Sequence, residues 1–269
     1  MNAMALAAAL LLPLAASAEE PAAATPERPV QWKGTVAAGL IVLTGNSETT
    51  SFTGAAAASR ETFGWILSAK ATAGYGQNRS PDGGASQVAA LNATSQVRLD
   101  RKFGEVWTVF VLGGAETDHV ANVEYRTLAE LGLSAQWLDL KEGEWQRLSL
   151  RFDLGLRYGY EARYLYFPPA TVPVTPPGPQ PGVELIAPRL GAAFRYGFSR
   201  EVFFTEEAEV MPSLTGASRV QVKSVAKLSS RVTKAITFGV GYTVAFDSAP
   251  AEGKEKTDTV LSALLEVEF

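Results

Sequence analysis

From Leu148 to Tyr160 apolar and polar residues alternate strictly. Leu148, Leu150, Phe152, Leu154, Leu156, Tyr158 and Tyr160 interleave with Ser149, Arg151, Asp153, Gly155, Arg157 and Gly159. Residues two apart on an extended chain share a face, so this period sets one face in an apolar medium and the other in a polar one. The pattern recurs over 89–99 and 236–246, and no helical period of comparable strength follows the N-terminal apolar stretch. Twelve such segments can be read, at 31–43, 49–60, 64–76, 86–100, 105–117, 123–137, 146–160, 184–198, 202–213, 218–231, 235–247 and 257–269. Each is long enough to cross a bilayer as a tilted strand, which takes about 9–11 residues, whereas soluble strands cluster near 5–6.

The connections alternate as well. After the even-numbered segments they are short: 61–63, 101–104, 138–145, 199–201 and 232–234. After the first, third, seventh and eleventh they are rich in Gly, Asn or Pro, and the longest is 161–183. Short periplasmic turns opposite longer extracellular loops are the outer-membrane arrangement. The Trp residues gather on the short-turn side, with Trp32, Trp65 and Trp107 at segment starts, Trp137 at an end and Trp145 in a turn. Tyr75, Tyr125, Tyr158 and Tyr160 mark the other side. Two such belts suit bilayer interfaces, where a ring is apolar and its polar tip wet. The prediction is an all-β, transmembrane, antiparallel up-and-down β-barrel of about 12 strands over residues 31–269. Its last strand carries the ladder Leu261, Ala263, Leu265, Val267, Phe269. Leu265, Val267 and Phe269 are the expected assembly signal for the barrel-assembly machinery.

Residues 4–16 are an Ala- and Leu-rich apolar stretch broken by Pro13, ending at the small-x-small site Ala16-Ser17-Ala18. It is too short for a membrane span and reads as a signal peptide over residues 1–18, cleaved after Ala18 on the way to the bacterial outer membrane. The Met1-Asn2-Ala3 start lacks the usual Lys or Arg. Residues 19–30, rich in Pro and Ala, read as a flexible periplasmic leader.

Composition narrows the chemistry. The chain has 269 residues, no Cys and one His, which excludes disulfide scaffolds, thiol catalysis and multi-histidine metal centres. A net charge of −4 gives nucleic acid no electrostatic hold. His119 lies in Asp118-His119-Val120-Ala121-Asn122 with no Ser close by, so a Ser–His lipid hydrolase is disfavoured and no catalytic residue, cofactor or metal is expected. Asp247, Glu252 and Asp258 offer a loose calcium or lipopolysaccharide contact without any defined calcium loop. Asp247 and Asp258 read better as turn-fixing residues of the last hairpin.

Projecting the alternation inward places Lys70, Arg98, Arg126, Arg147, Arg151, Arg157, Arg189, Arg195, Arg219, Lys223 and Lys227 in the lumen, with Glu130, Asp153, Glu207 and Glu209. Asp100, Glu116, Asp258, Glu266 and Glu268 project the same way nearer the rims. A basic mid-bore favours anions in a pore, with Arg151, Arg157, Arg189 and Arg195 as its main carriers. The opposite expectation is a plug in which Glu207 and Glu209 neutralise those arginines. The pair Glu206-Glu207 is assigned, with Glu209, to such an ion network rather than to acid–base work.

Trp32-Lys33-Gly34, then Gly39-Leu40, then Thr44-Gly45-Asn46-Ser47-Glu48-Thr49-Thr50 form an opening of the type W-x-G … G … T-G-N-x-x-T. Leu99-Asp100-Arg101-Lys102-Phe103 and Glu116-Thr117-Asp118 follow in the middle. Phe246-Asp247-Ser248-Ala249-Pro250, Thr257-Asp258-Thr259 and Phe269 close it. On these residues the chain resembles the family of salt-induced outer membrane proteins, a domain family of unknown function. The resemblance implies an outer-membrane barrel with Trp32, Gly34, Thr44, Gly45, Asn46, Thr49, Asp247, Pro250 and Asp258 as family positions, and it implies no reaction. The expected role is a monomeric structural, envelope-stress or small-solute pore barrel, in contact with outer-membrane lipid and lipopolysaccharide. The alternatives are an outer-membrane lipid hydrolase and a soluble secreted β-sandwich binding protein.

Overall fold

The computed structural model describes residues 31–43, 48–79, 86–166, 176–215, 218–251 and 254–269. The signal segment, the leader and Thr44, Gly45 and Asn46 lie outside them. Twelve strands follow in order: β1 Gln31–Leu43, β2 Glu48–Thr62, β3 Trp65–Arg79, β4 Gln87–Phe103, β5 Trp107–Asp118, β6 Val123–Glu142, β7 Trp145–Leu165, β8 Gly178–Gly197, β9 Val202–Pro212, β10 Val220–Arg231, β11 Ile236–Asp247 and β12 Thr257–Glu268. Each strand pairs antiparallel with the next, and β1 pairs with β12 to close the barrel. A single closed ring is not a sandwich, and the soluble alternative falls with it.

The β6–β7 register shows why the alternation folds this way. Glu130↔Arg157 and Ser134↔Asp153 point into the lumen, while Leu131↔Leu156 and Leu133↔Leu154 point out. Leu131, Leu154, Leu156 and Leu190 are each more than half exposed, whereas Glu130, Asp153, Arg157 and Arg189 are each less than a tenth exposed. Apolar outside and polar inside inverts a soluble core, and it is stable only where hydrocarbon covers the wall. The protein is a transmembrane barrel of the outer-membrane kind.

At one end of the ring the strands join through short turns, in which Gly64, Gly104 and Gly143 take φ of 72°, 74° and 65°, a conformation glycine adopts without a Cβ penalty. The longer connections all lie at the other end, as the sequence predicted. Strand ends are where the expectation needs correction. β6 runs on to Glu142 and β7 starts at Trp145, so Trp137 and Trp145 are strand residues. The register skips between Gln136 and Leu138, which makes Trp137 the extra residue of a bulge. β7 and β8 likewise reach Leu165 and Gly178, into the stretch 161–183 expected to be a loop. Paired strands rising beyond the bilayer need no apolar alternation, so hydropathy does not report them.

Candidate site in the lumen

The inward charges fall into two ion clusters against β4–β11. The deeper one is centred on Glu130 of β6, whose side chain has no exposure. Its two oxygens accept from Arg157 Nε at 2.8 Å and Arg189 Nε at 2.9 Å. Glu209 of β9 lies 3.7 Å from Arg157 and 3.6 Å from Arg189, and Met211 Sδ accepts from Arg157 at 3.1 Å. Asp153 extends the cluster to Arg151 at 3.2 Å, Arg189 at 3.5 Å and Arg98 at 3.4 Å. Arg98 also donates to Ser134 at 2.7 Å and lies 3.8 Å over the Phe110 ring. Buried charges persist only when paired and hydrogen-bonded in this way.

The second cluster sits toward the long-loop end. Glu161 of β7 takes Arg126 of β6, Arg163 of its own strand and, at 3.3 Å, Arg219, the residue just before β10 and three strands along the ring. Arg126 also pairs with Glu116, and Arg219 with Asp247. Asp247 Oδ1 accepts from Ala249 N at 3.0 Å, the side-chain turn expected of it. Asp258 sits on β12 opposite Ala245.

The expected site residues are therefore dispersed. Arg157, Arg189 and Glu209 come together. Arg151 joins them only through Asp153. Arg195 stands apart, 3.7 Å over the Phe203 ring. Glu207 does not neutralise these arginines. It meets Lys70 of β3 at 3.6 Å, with side chains 62% and 61% exposed. Strands β3 and β9 are diametrically opposed in the ring, so this pair bridges the bore. Glu206 is also corrected: β9 parity turns it to the outer face, where Ser224 Oγ donates to it at 3.1 Å. Glu130, the centre of the cluster, was only one name among the inward charges. Its place opposite Arg157 was the available signal, and the bulges of β6 hide it from simple counting.

The remaining wall, β1–β3 with β12, carries small inward residues. Thr35, Ala37, Ala55, Ala57, Thr72, Lys70 and Glu266 line a cavity of about 120 Å³, and Lys227 of β10 holds Glu266 at 2.7 Å.

At the long-loop rim His119 stacks on Tyr166 at 4.3 Å, and Tyr164 packs on Tyr166 at 4.8 Å. Loss of hydration and the Glu124 carboxylate, which accepts from its hydroxyl, push the Tyr166 phenol up to about 12. Asn122, fully buried with φ of 60°, ties this rim together, its side-chain oxygen accepting from Tyr166 N at 3.1 Å.

Of the family positions, Gly34 lies at the closing seam, with Trp32 two residues before it on β1. Arg60 lies 5.4 Å over the ring of Trp32. Gly34 N donates to Phe269 O at 2.9 Å and Phe269 N to Gly34 O at 3.0 Å. A Cβ on Gly34 would overlap the Phe269 ring. The outward faces of Leu265 and Val267 continue the same strand. A family model described as "Protein of unknown function, DUF481" matches residues 36–269. The chain belongs to this family. Its description assigns no activity, and it does not carry the salt-induced label. No curated protein matches the chain. Solved structures similar to this chain include the translocator domain of the autotransporter NalP from Neisseria meningitidis, at 12% identity and a TM-score of 0.44, covering 88% of this chain and 86% of that one. The beta domain of the Bordetella autotransporter Brka (10% identity, TM-score 0.42) and the NanC porin (11%, 0.42) each align over 88% of this chain and 97% of theirs.

Proposed function

We propose that this DUF481 barrel is a narrow small-solute conduit of the bacterial outer membrane. The observation that carries the reading is the division of the lumen: ion clusters fill it against β4–β11, while β1–β3 and β12 leave a cavity lined by small side chains. Lys70 and Glu207 reach across this path from opposite strands. Arg157 and Arg189 are spent on Glu130 and nearly buried, so they form no free basic ring, and the net preference between ions is small. Export by a signal over residues 1–18, insertion by the assembly machinery through Leu265, Val267 and Phe269, lipopolysaccharide at the long-loop rim and a monomeric state belong to the same reading. It assigns no reaction to His119 and needs no cofactor.

A plugged structural barrel is the second reading, favoured by the burial of Glu130 and its arginines. Planar-bilayer recordings separate the two. The wild type should show small, weakly selective conductance, and Lys70→Ala with Glu207→Ala should enlarge it. Silence from both proteins overturns the conduit and leaves the plug.

A further inference from the structure

Six buried side-chain polar atoms among the described residues make no hydrogen bond, and four of them share one patch of the lumen wall. They are Arg195 Nε of β8, Ser229 Oγ and Arg231 Nε of β10, and Thr237 Oγ1 of β11. The register gathers them. Phe203 of β9, on whose ring Arg195 lies, faces Ser229, and Arg231 faces Thr237. All four side chains project inward at the short-turn end, where β8 passes to β9 and β10 to β11. Ser229 and Thr237 are each 1% exposed. Buried hydrogen-bonding groups are nearly always paired, so a cluster of four that are not marks a place where an outside group completes the bonding.

The charge of the patch says which kind of group. Arg157, Arg189 and Arg219 each donate to a carboxylate, but Arg195 has no ion-pair partner among the described residues, and the charges that act on it are Arg231 and Glu268. Glu268 stands 3.8 Å from Arg231, and both side chains remain more than a third exposed. Glu266, the next inward carboxylate of β12, is taken by Lys227 at 2.7 Å. One loosely held carboxylate thus faces two guanidiniums. Charges withdrawn from water persist when paired, and two of like sign side by side are relieved by an anion between them.

We infer that this patch is an oxyanion site at the short-turn mouth of the lumen, where Arg195 and Arg231 together hold the phosphate group of a small solute. A single guanidinium fork fills the two oxygens of a carboxylate, whereas phosphate has oxygens for two forks arriving from separate strands. The Phe203 ring backs Arg195 and keeps its guanidinium flat against the wall. The hydroxyls of Ser229 and Thr237 lie in the wall beside the two forks and offer further donors. The anion comes from the lumen side, where Arg231 is exposed. Binding needs no conduction, so a silent barrel leaves the site intact, and a barrel that conducts without binding phosphate loses only the site.

The test is titration calorimetry of the purified full barrel in detergent with inorganic phosphate, and with acetate at matched ionic strength. Phosphate should bind about tenfold more tightly than acetate, the size of one additional charge-assisted hydrogen bond. Arg195→Gln and Arg231→Gln should each raise the half-saturating phosphate concentration about tenfold for the same reason. Arg200→Gln, at an exposed arginine in the turn after β8, should leave it unchanged. Acetate binding as well as phosphate overturns the phosphate assignment. Absence of phosphate binding, or binding that survives both substitutions, overturns the site. If the variants fail to fold, arginine modification of the wild type by phenylglyoxal decides. Phosphate should slow the reaction at Arg195 and Arg231 and not at Arg200, and equal rates with and without phosphate at all three overturn the site.

Discussion

At the scale of single residues, burial decides which lumen charges matter for stability. Glu130 has no exposed side chain and holds Arg157 and Arg189 together, whereas Glu207 is 62% exposed. Removing one member of a buried pair leaves uncompensated charge and costs about 3 kcal/mol or more, while exposed pairs are worth about 0–1. Glu130→Gln should therefore lower the stability of the barrel by about 3 kcal/mol, read from tryptophan fluorescence in a urea series. Glu207→Gln should stay within about 0.5 kcal/mol of wild type. Equal losses would mean that Glu130 is not the keystone. Glu207 has a different signature: neutralising it should tilt ion preference toward anions, and Lys70→Gln toward cations. Reversal potentials in a salt gradient check both signs. What parity reveals at this scale is the face a residue takes, and it placed Arg157, Arg189, Glu130 and Glu209 inward correctly. It does not reveal partners, because pairs such as Lys70–Glu207 and Arg157–Glu209 join strands that are neither adjacent in sequence nor in register. Glu206 shares the acidic stretch of Glu207 and Glu209 but not their parity, so proximity in sequence alone draws it into the ion network.

Among the strands, the seam between β1 and β12 carries the most consequence. Gly34 leaves room for the Phe269 ring and exchanges two backbone bonds with that residue. Gly34→Val should push the ring aside and reduce the heat-modifiable folded fraction. Phe269→Ala alone should also reduce it. Because both act on one contact, the double variant should lose less than the sum, the non-additivity expected of touching residues. Simple additivity would show that the two do not cooperate in closure. Strand identities were legible because one face meets lipid and the other water, so the period survives in every wall-spanning segment. The ends were not. β6 passes Trp137 through a bulge, and the β7–β8 ribbon rises to Leu165 and Gly178. Bulges leave no mark in hydropathy, and a ribbon outside the bilayer is free of its constraint. The Gly34–Phe269 contact was visible only as a resemblance to family positions, with no pattern to tie the two ends of the chain together.

The whole barrel has one end of short turns and one of long connections, and its orientation follows if the short turns are periplasmic. Cysteine at Gly178 should react with an impermeant thiol reagent on intact cells and cysteine at Glu105 should not, while both should react after lysis. Glu105 is preferable to Gly104, whose φ of 74° would strain any side chain. Labelling of Glu105→Cys on intact cells would invert the barrel. A last consequence follows from the pair that crosses the bore. Lys70 and Glu207 hold each other at 3.6 Å in open water, and the reach of such an attraction shrinks from about 10 Å at 0.1 M salt to about 3 Å at 1 M. Concentrated electrolyte therefore acts as a solvent for the bridge itself. The lumen becomes a resistor whose width depends on the solution filling it, and its conductance should climb more steeply than bulk conductivity. With Lys70→Ala and Glu207→Ala together, the climb should fall back to simple proportion.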